Sequence, residues 1–147
     1  MIKTWQITTP TSLLHEAAFV EEMVQAIYKS KIESFDVLPG IFEALRRSVA
    51  RPDAAVWVQA QGTDRLAFGA AVINYTVKGE VICWLWLIYS KPGADLPEAL
   101  KHYILPWAKQ QGATHLQASN TDYSPTKARW FRNYDMKKQF EVYGRAL

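Results

Sequence analysis

The stretch EVICWLWLIYS, residues 80–90, is apolar at nearly every position from Val81 to Ile88. A strand with one wet face alternates apolar and polar side chains, so a continuous run of this length belongs to a strand covered on both faces. A chain built around it has to be layered, with helices on either side of a sheet. Two further β-type runs, AAVWVQAQ and RLAFGAAVINYTV, precede it, separated by the turn-forming GTD and KG. They read as antiparallel hairpin partners.

The flanks supply the helices. Trp5 and Ile7 alternate with polar neighbours and predict a short first strand, and Thr9, Pro10, Thr11 and Ser12 read as a helix start. Leu13, Ala17, Val20, Val24 and Ile27 keep helical spacing on one face, with Glu16, Glu21, Glu22 and Gln25 on the other. KSKIESFDVLPG then reads as a polar interruption ending at Pro39-Gly40. IFEALRRSVA follows as a shorter helix with Ile41, Leu45 and Val49 inward, ended at Arg51-Pro52-Asp53. After the apolar strand, Asp95 and Glu98 have the spacing of a capping box. Leu96, Leu100, Tyr103, Ile104 and Trp107 form the next apolar stripe. Pro106 is expected to bend that helix, and Gly112 suits its C′ position. THLQAS reads as another strand, Ser124-Pro125 as a helix start for TKARWFRNYDM, and KQFEVYGRAL as a last strand. The order β-α-α-β-β-β-α-β-α-β predicts an α+β fold: one domain over 1–147, with a mixed, mostly antiparallel central sheet and helices on both faces.

Composition removes several classes of function. The 147 residues are 49% hydrophobic and 21% charged, which is a globular balance. Cys83 is the sole cysteine and lies in the apolar run, so an internal disulfide is ruled out and the thiol reads as a small buried hydrophobe. MIKTWQITTP has no apolar targeting core, and no window approaches the ~20 apolar residues of a membrane span. The expected setting is therefore the reducing cytoplasm, away from membranes. His15, His102 and His115 are scattered without metal-ligand spacing, so no metal is expected. Nucleophile elbow, Walker loop and dinucleotide fingerprints are absent.

The order of elements resembles the GCN5-related N-acetyltransferase (GNAT) superfamily over essentially the whole chain. In that family a central strand splays from its neighbour and leads through a glycine-rich turn into a helix whose N-terminus holds the pyrophosphate of acyl-CoA. Here WLWLIYS, KPGAD and LPEALKHYILPWAKQQGA stand in those places. The resemblance implies acetyl-CoA as cofactor, with backbone groups near Leu87 and Ile88 on the pantetheine arm. Lys91, Gly93 and Ala94 would meet the phosphates, and Asn120 would touch the cofactor. It also implies transfer to an amine, on a small molecule or a protein, chosen by the first two helices and KSKIESFDVLPG. Glu33 and Asp36 there lean toward a cationic acceptor.

The family's loop pattern is Gln or Arg, two residues, Gly, any residue, then Gly or Ala. The matching positions here read Ser90, Gly93 and Asp95, so only Gly93 agrees. Asp95 would compete for the amides a phosphate needs and place like charge beside it. In the last helix the family's tyrosine falls on Phe131, with Asp135 and Met136 on the following glycine and phenylalanine. Tyr123 or Tyr134 would then serve the departing thiolate, and Glu80, the only acidic residue of the central strand region, is the candidate base. With the loop eroded, a catalytically inactive protein is an open alternative: a GNAT-fold structural or assembly protein, forming homo-oligomers or docking another protein, as in the virion of some phages. Lys127, Arg129, Arg132, Lys137 and Lys138, interleaved with Trp130, Phe131, Tyr134, Phe140 and Tyr143, could also meet nucleic acid, but read better as the wet and dry sides of a helix and strand.

Overall fold

The computed structural model describes residues 1–28 and 31–118 together with residue 136, and for residues 28 and 31–36 the backbone alone. The helix expected over TKARWFRNYDM, Met136 apart, and the strand expected over KQFEVYGRAL lie outside the described residues.

Five strands form one sheet in sequence order: β1 (Ile2–Ile7), β2 (Ala54–Gln61), β3 (Asp64–Tyr75), β4 (Val81–Ser90) and β5 (His115–Ala118). Neighbours are antiparallel except β4 and β5, which run parallel with Ile82 opposite His115 and Leu85 opposite Ala118. Both hairpin turns rest on glycines of positive φ, Gly62 (61°) and Gly79 (83°). This is the α+β, mostly antiparallel mixed sheet that the sequence pattern predicts.

Each sheet face carries its own core. On one face Val56, Val58, Phe68, Ala70 and Leu87 pack against Leu13, Phe19, Val20, Met23, Val24 and Leu45 from the helices before β2. On the other face Ala55, Trp57, Ala71, Ile73, Cys83, Leu85 and Ile88 meet Ala108 and the half-buried Tyr103, Ile104 and Trp107. Trp57 and Trp107 meet edge to face at 5.4 Å and 81° across that layer. Fully burying one side chain such as Phe68 contributes on the order of 2–3 kcal/mol, so these two layers supply most of what opposes chain entropy.

Two bulges interrupt the alternation. Between β3 and β4, Ala70 faces Leu87 and Ala71 faces Leu85, leaving Trp86 as an extra residue. Before it Val81, Cys83 and Leu85 point to the second core; after it Ile88 does so, while Trp86, Leu87 and Tyr89 join the first. Between β2 and β3, Gln59 faces Ala67 and Ala60 faces Arg65, leaving Leu66 extra. That second bulge puts Arg65 on the same face as Trp5. Ile82, Cys83, Leu85, Leu87 and Ile88 are buried as expected of a covered strand, whereas Trp84 stays 37% exposed among the described residues.

The helices differ from the sequence expectation in two places. The first helix is divided into α1 (Pro10–Leu14), N-capped by the Thr9 hydroxyl on the Ser12 N–H at 3.1 Å, and α2 (Ala17–Tyr28). Glu16, expected on the polar face, sits in the break between them and is buried, because Arg65 binds it in bidentate fashion at 2.7 and 3.0 Å. Secondly, α3 runs unbroken from Lys31 to Val49 through Pro39, where a polar interruption was expected. A proline inside a helix costs about 3 kcal/mol. Val37 and Leu38 before it and Ile41, Phe42, Leu45 and Val49 after it all pack on the first core, and that burial outweighs the lost backbone bond.

After β4 the chain enters α4 (Leu96–Ala99), widens into a π-helical turn over Leu100–Ile104, and continues as α5 (Leu105–Gln110). Pro106 has no N–H to give, and the π turn immediately before it is how the helix accommodates that loss. The helix ends in a Schellman motif. Ala113 N–H donates to the Ala108 carbonyl and Gly112 N–H to that of Lys109, each at 3.0 Å, with Gly112 at φ 81°.

Candidate functional site

The junction from β4 into α4 is a hydrogen-bonded turn followed at once by a helix cap. Pro92 and Gly93 occupy its two central positions, Gly93 at φ 95°, and the Ala94 N–H donates to the Lys91 carbonyl at 3.1 Å. Lys91 N–H donates to the carbonyl of the bulged Leu66 at 2.8 Å, which fastens the turn to β3. The Asp95 carboxylate then accepts from Glu98 N–H at 3.1 Å.

The expected capping box is only half made. The N–H of Asp95 donates to Gln59 Oε1 at 2.7 Å, while Gln59 Nε2 donates to the Asp95 carbonyl at 2.7 Å. Glu98 instead accepts from the Thr4 hydroxyl at 2.8 Å and lies 3.2 Å from Gln59 Nε2, which is also 3.1 Å from Thr4 Oγ1. Gln59 is 1% exposed and Thr4 5%. A buried side-chain amide therefore grips both backbone groups of one residue, as a neighbouring strand would, and ties the start of α4 to β1 and β2.

This polar knot forms one wall of an apolar cleft between the second sheet face and α4. Trp57, Gly69, Ile88, Leu96 and Leu100 also line it. Neither Gln59 nor Thr4 was singled out from the sequence. A signal existed: Gln59 is in phase with Ala55 and Trp57 on a core-facing side of β2, a place where a polar residue has to find partners.

Lys91 points away from that knot. Its Nζ lies 3.3 Å from Glu22 Oε1 on α2 and 6.0 Å from the centre of the Phe19 ring. Tyr89 is beside it, its hydroxyl pushed above the usual tyrosine range by burial first and the Glu22 carboxylate second, with Lys91 opposing. The residues expected at the phosphates thus fall into three roles. Lys91 is half-exposed and ion-paired, Gly93 makes the turn, and Ala94 has its amide inside the turn.

Leu87 and Ile88 are each 8% exposed and sit just past the Trp86 bulge. The described part of β5 ends at Ala118, opposite Leu85. Glu80 lies at the other end, one residue before β4. Its N–H donates to Thr76 Oγ1, and its carboxylate is 3.9 Å from His115 Nδ1. At ~3.3 Å per residue, Glu80 is on the order of 25 Å along the strand from Ile88. Tyr123, Tyr134 and Asn120 lie outside the described residues.

Other chemistries find no support among the described residues. No three of His, Cys, Asp and Glu gather as metal ligands, and no helix is long and apolar enough to cross a membrane. Burial pushes the Cys83 thiol up to about 11, so it carries no thiolate at neutral pH.

No family model and no curated protein matches the sequence. Solved structures do match the fold. A predicted acetyltransferase with acetyl-CoA from Clostridium acetobutylicum superposes with a TM-score of 0.75 at 10% identity, over 99% of this chain and 96% of that one. An aminoglycoside N-acetyltransferase in complex with CoA gives 0.69 at 12% identity, over 100% and 95%. An aminoglycoside acetyltransferase from an uncultured soil metagenomic sample, in complex with sisomicin, gives 0.71 at 9%, over 99% and 96%. With a parallel β4–β5 pair, a bulged central strand and a helix launched from its end, this chain has the fold of the GNAT acetyltransferases.

Proposed function

We propose that the chain is an N-acyltransferase taking its acyl group from a CoA-type thioester and passing it to an amine. The observation that carries this reading is the course of β4, which is bulged at Trp86 and passes through the Lys91–Ala94 turn into α4, in a fold shared with acetyltransferases solved with acetyl-CoA or CoA. An extended pantetheine arm presents amide groups at strand-like spacing and would pair with the β4 backbone at Leu87 and Ile88 as an added strand does. That fold neighbours are in complex with acetyl-CoA or CoA, and one with the polyamine sisomicin, supports the donor and the amine acceptor alike.

On this reading the chain's own groups do four things. The β4 backbone orients the arm, and the apolar residues around Ile88 exclude water from the thioester. The amine has to arrive neutral and give up a proton as the new bond forms. Glu80, at the start of β4, would take that proton through ordered water. Tyr123 or Tyr134 would protonate the leaving thiolate.

Calorimetric titration with acetyl-CoA tests the reading, coupled to mass spectrometry of a polyamine acceptor. Saturable heat and an acetylated amine are expected, with Tyr123→Phe or Tyr134→Phe slowing turnover and sparing binding. Absence of heat at millimolar acetyl-CoA would discard it. That result would favour the second reading, a GNAT-fold assembly protein, for which the specific observation is the capped and internally bonded start of α4. Light scattering of the purified protein would then be expected to show self-association.

A further inference from the structure

The diphosphate of CoA fits the start of α4 poorly. Phosphate recognition at such a junction depends on backbone N–H groups that have no other acceptor. From residue 91 to residue 98 they are nearly all committed or missing. Lys91 N–H is bonded to Leu66, Ala94 N–H to Lys91, Asp95 N–H to Gln59 and Glu98 N–H to Asp95, while Pro92 and Pro97 have none. Only Gly93 and Leu96 keep amides without an acceptor among the described residues. The charges point the same way. Asp95 and Glu98 place two carboxylates at this end of the helix, and the one lysine of the turn is turned to Glu22.

We propose that this chain selects its donor by the pantetheine thioester and not by the phosphates, and that Gln59 is the positioning residue that keeps the α4 amides closed to them. The inference rests on the thioester-transfer reading above. The bond from Gln59 Oε1 takes the one amide that a capping box would have left to a ligand or to Glu98. Because Gln59 also holds the Asp95 carbonyl, the residue cannot rotate to offer its N–H elsewhere. Burial at 1% exposure and the bond to Thr4 fix the rotamer of Gln59 from behind. Recognition is thereby moved from charge at the helix end to backbone pairing along β4.

The test is a donor series with increasing phosphate content: S-acetyl-pantetheine, S-acetyl-4′-phosphopantetheine and acetyl-CoA, each titrated into the wild-type protein. The expected dissociation constants agree within about threefold across the series. Acetyl-CoA binding about tenfold or more tightly than S-acetyl-pantetheine would overturn the proposal and leave the transferase reading intact. If no member binds, both fall together. Gln59→Met keeps the volume and releases the Asp95 amide. It should raise the affinity for acetyl-CoA relative to S-acetyl-pantetheine by about fivefold to tenfold. A merely structural role for Gln59 would shift both donors equally, and an unchanged ratio in a folded Gln59→Met protein would refute its positioning role.

Discussion

The Glu16–Arg65 pair can be tested to a number. Glu16 is 5% exposed in the break between α1 and α2, and both its oxygens accept from Arg65, whose guanidinium also stacks 5.3 Å from the Trp5 ring centre. Glu16→Gln keeps the shape but replaces one acceptor with an N–H₂ group facing a guanidinium N–H. Removing one member of a fully buried pair costs about 3–5 kcal/mol. The Arg65 side chain is 30% exposed, so water relieves part of the orphaned charge and about 2 kcal/mol is expected. In a chain of this size that lowers Tm by roughly 4–8 °C. Urea unfolding followed by tryptophan fluorescence reads the change, and the single variants Glu16→Leu and Arg65→Met with the double variant Glu16→Leu/Arg65→Met complete a cycle. The double variant should lie well above the sum of the single losses, because an apolar pair of similar volume replaces the ions without leaving a charge unmatched. The loss from Glu16→Gln should also change little between low and high salt. A Glu16→Gln protein within about 0.5 kcal/mol of the parent, or strict additivity in the cycle, would refute the reasoning.

Four further outcomes are expected. Gly69→Ala should stabilise by about 0.5–1 kcal/mol in urea titration, since its Cβ would meet only the Leu87 carbonyl oxygen at 3.7 Å in the cleft under α4. Gly93→Ala should cost about 1–2 kcal/mol in the same assay, because φ 95° strains any residue with a Cβ even though that Cβ would meet only Leu66 Cδ2 at an ordinary 3.9 Å. Cys83 should resist thiol-specific labelling at pH 8 until the protein is unfolded. Because its folded value of about 11 stands above the unfolded one of 9.0, stability should fall as pH rises from 9.0 towards 11. Glu43, bonded by Arg46 first and also by Arg47, is held down at about 2 against an ordinary 4.5. Its contribution is present above pH 4.5 and lost as pH falls toward 2, so thermal melts of Glu43→Gln and the parent should converge in that window.

The sheet was legible because its signals are local. Gly62 and Gly79 mark the hairpins, and the apolar run from Val81 marks a covered strand. The Schellman end at Gly112 and the Asp95 cap could likewise be read from single residues. What escaped depends on contacts distant in sequence. Helix α3 passes Pro39 because the first core rewards residues on both sides of it, and no propensity records that. Glu16 looked like a surface residue until the Leu66 bulge brought Arg65 to its face. At the candidate site the junction and the competing Asp95 were visible, but the closure of its amides by Gln59 was not, since that bond joins positions 36 residues apart. Both bulges were invisible for a related reason: an extra residue inverts the period-2 pattern, and in a run as uniformly apolar as WLWLIY an inversion leaves no trace.

The bulge at Trp86 makes β4 a strand with two masters. Its first half takes its orientation from the hairpin that ends at Gly79, and its second half from the turn at Gly93, with one surplus peptide absorbing the disagreement. Excising that peptide would force a choice. Either the hairpin end or the turn end would have to revolve by half a pleat, which would carry Lys91 across to the α4 side or Cys83 out of its core. A deletion at this one position is therefore a switch of allegiance between layers, and where the turn end gives way it would take from Glu22 the cation that now greets it.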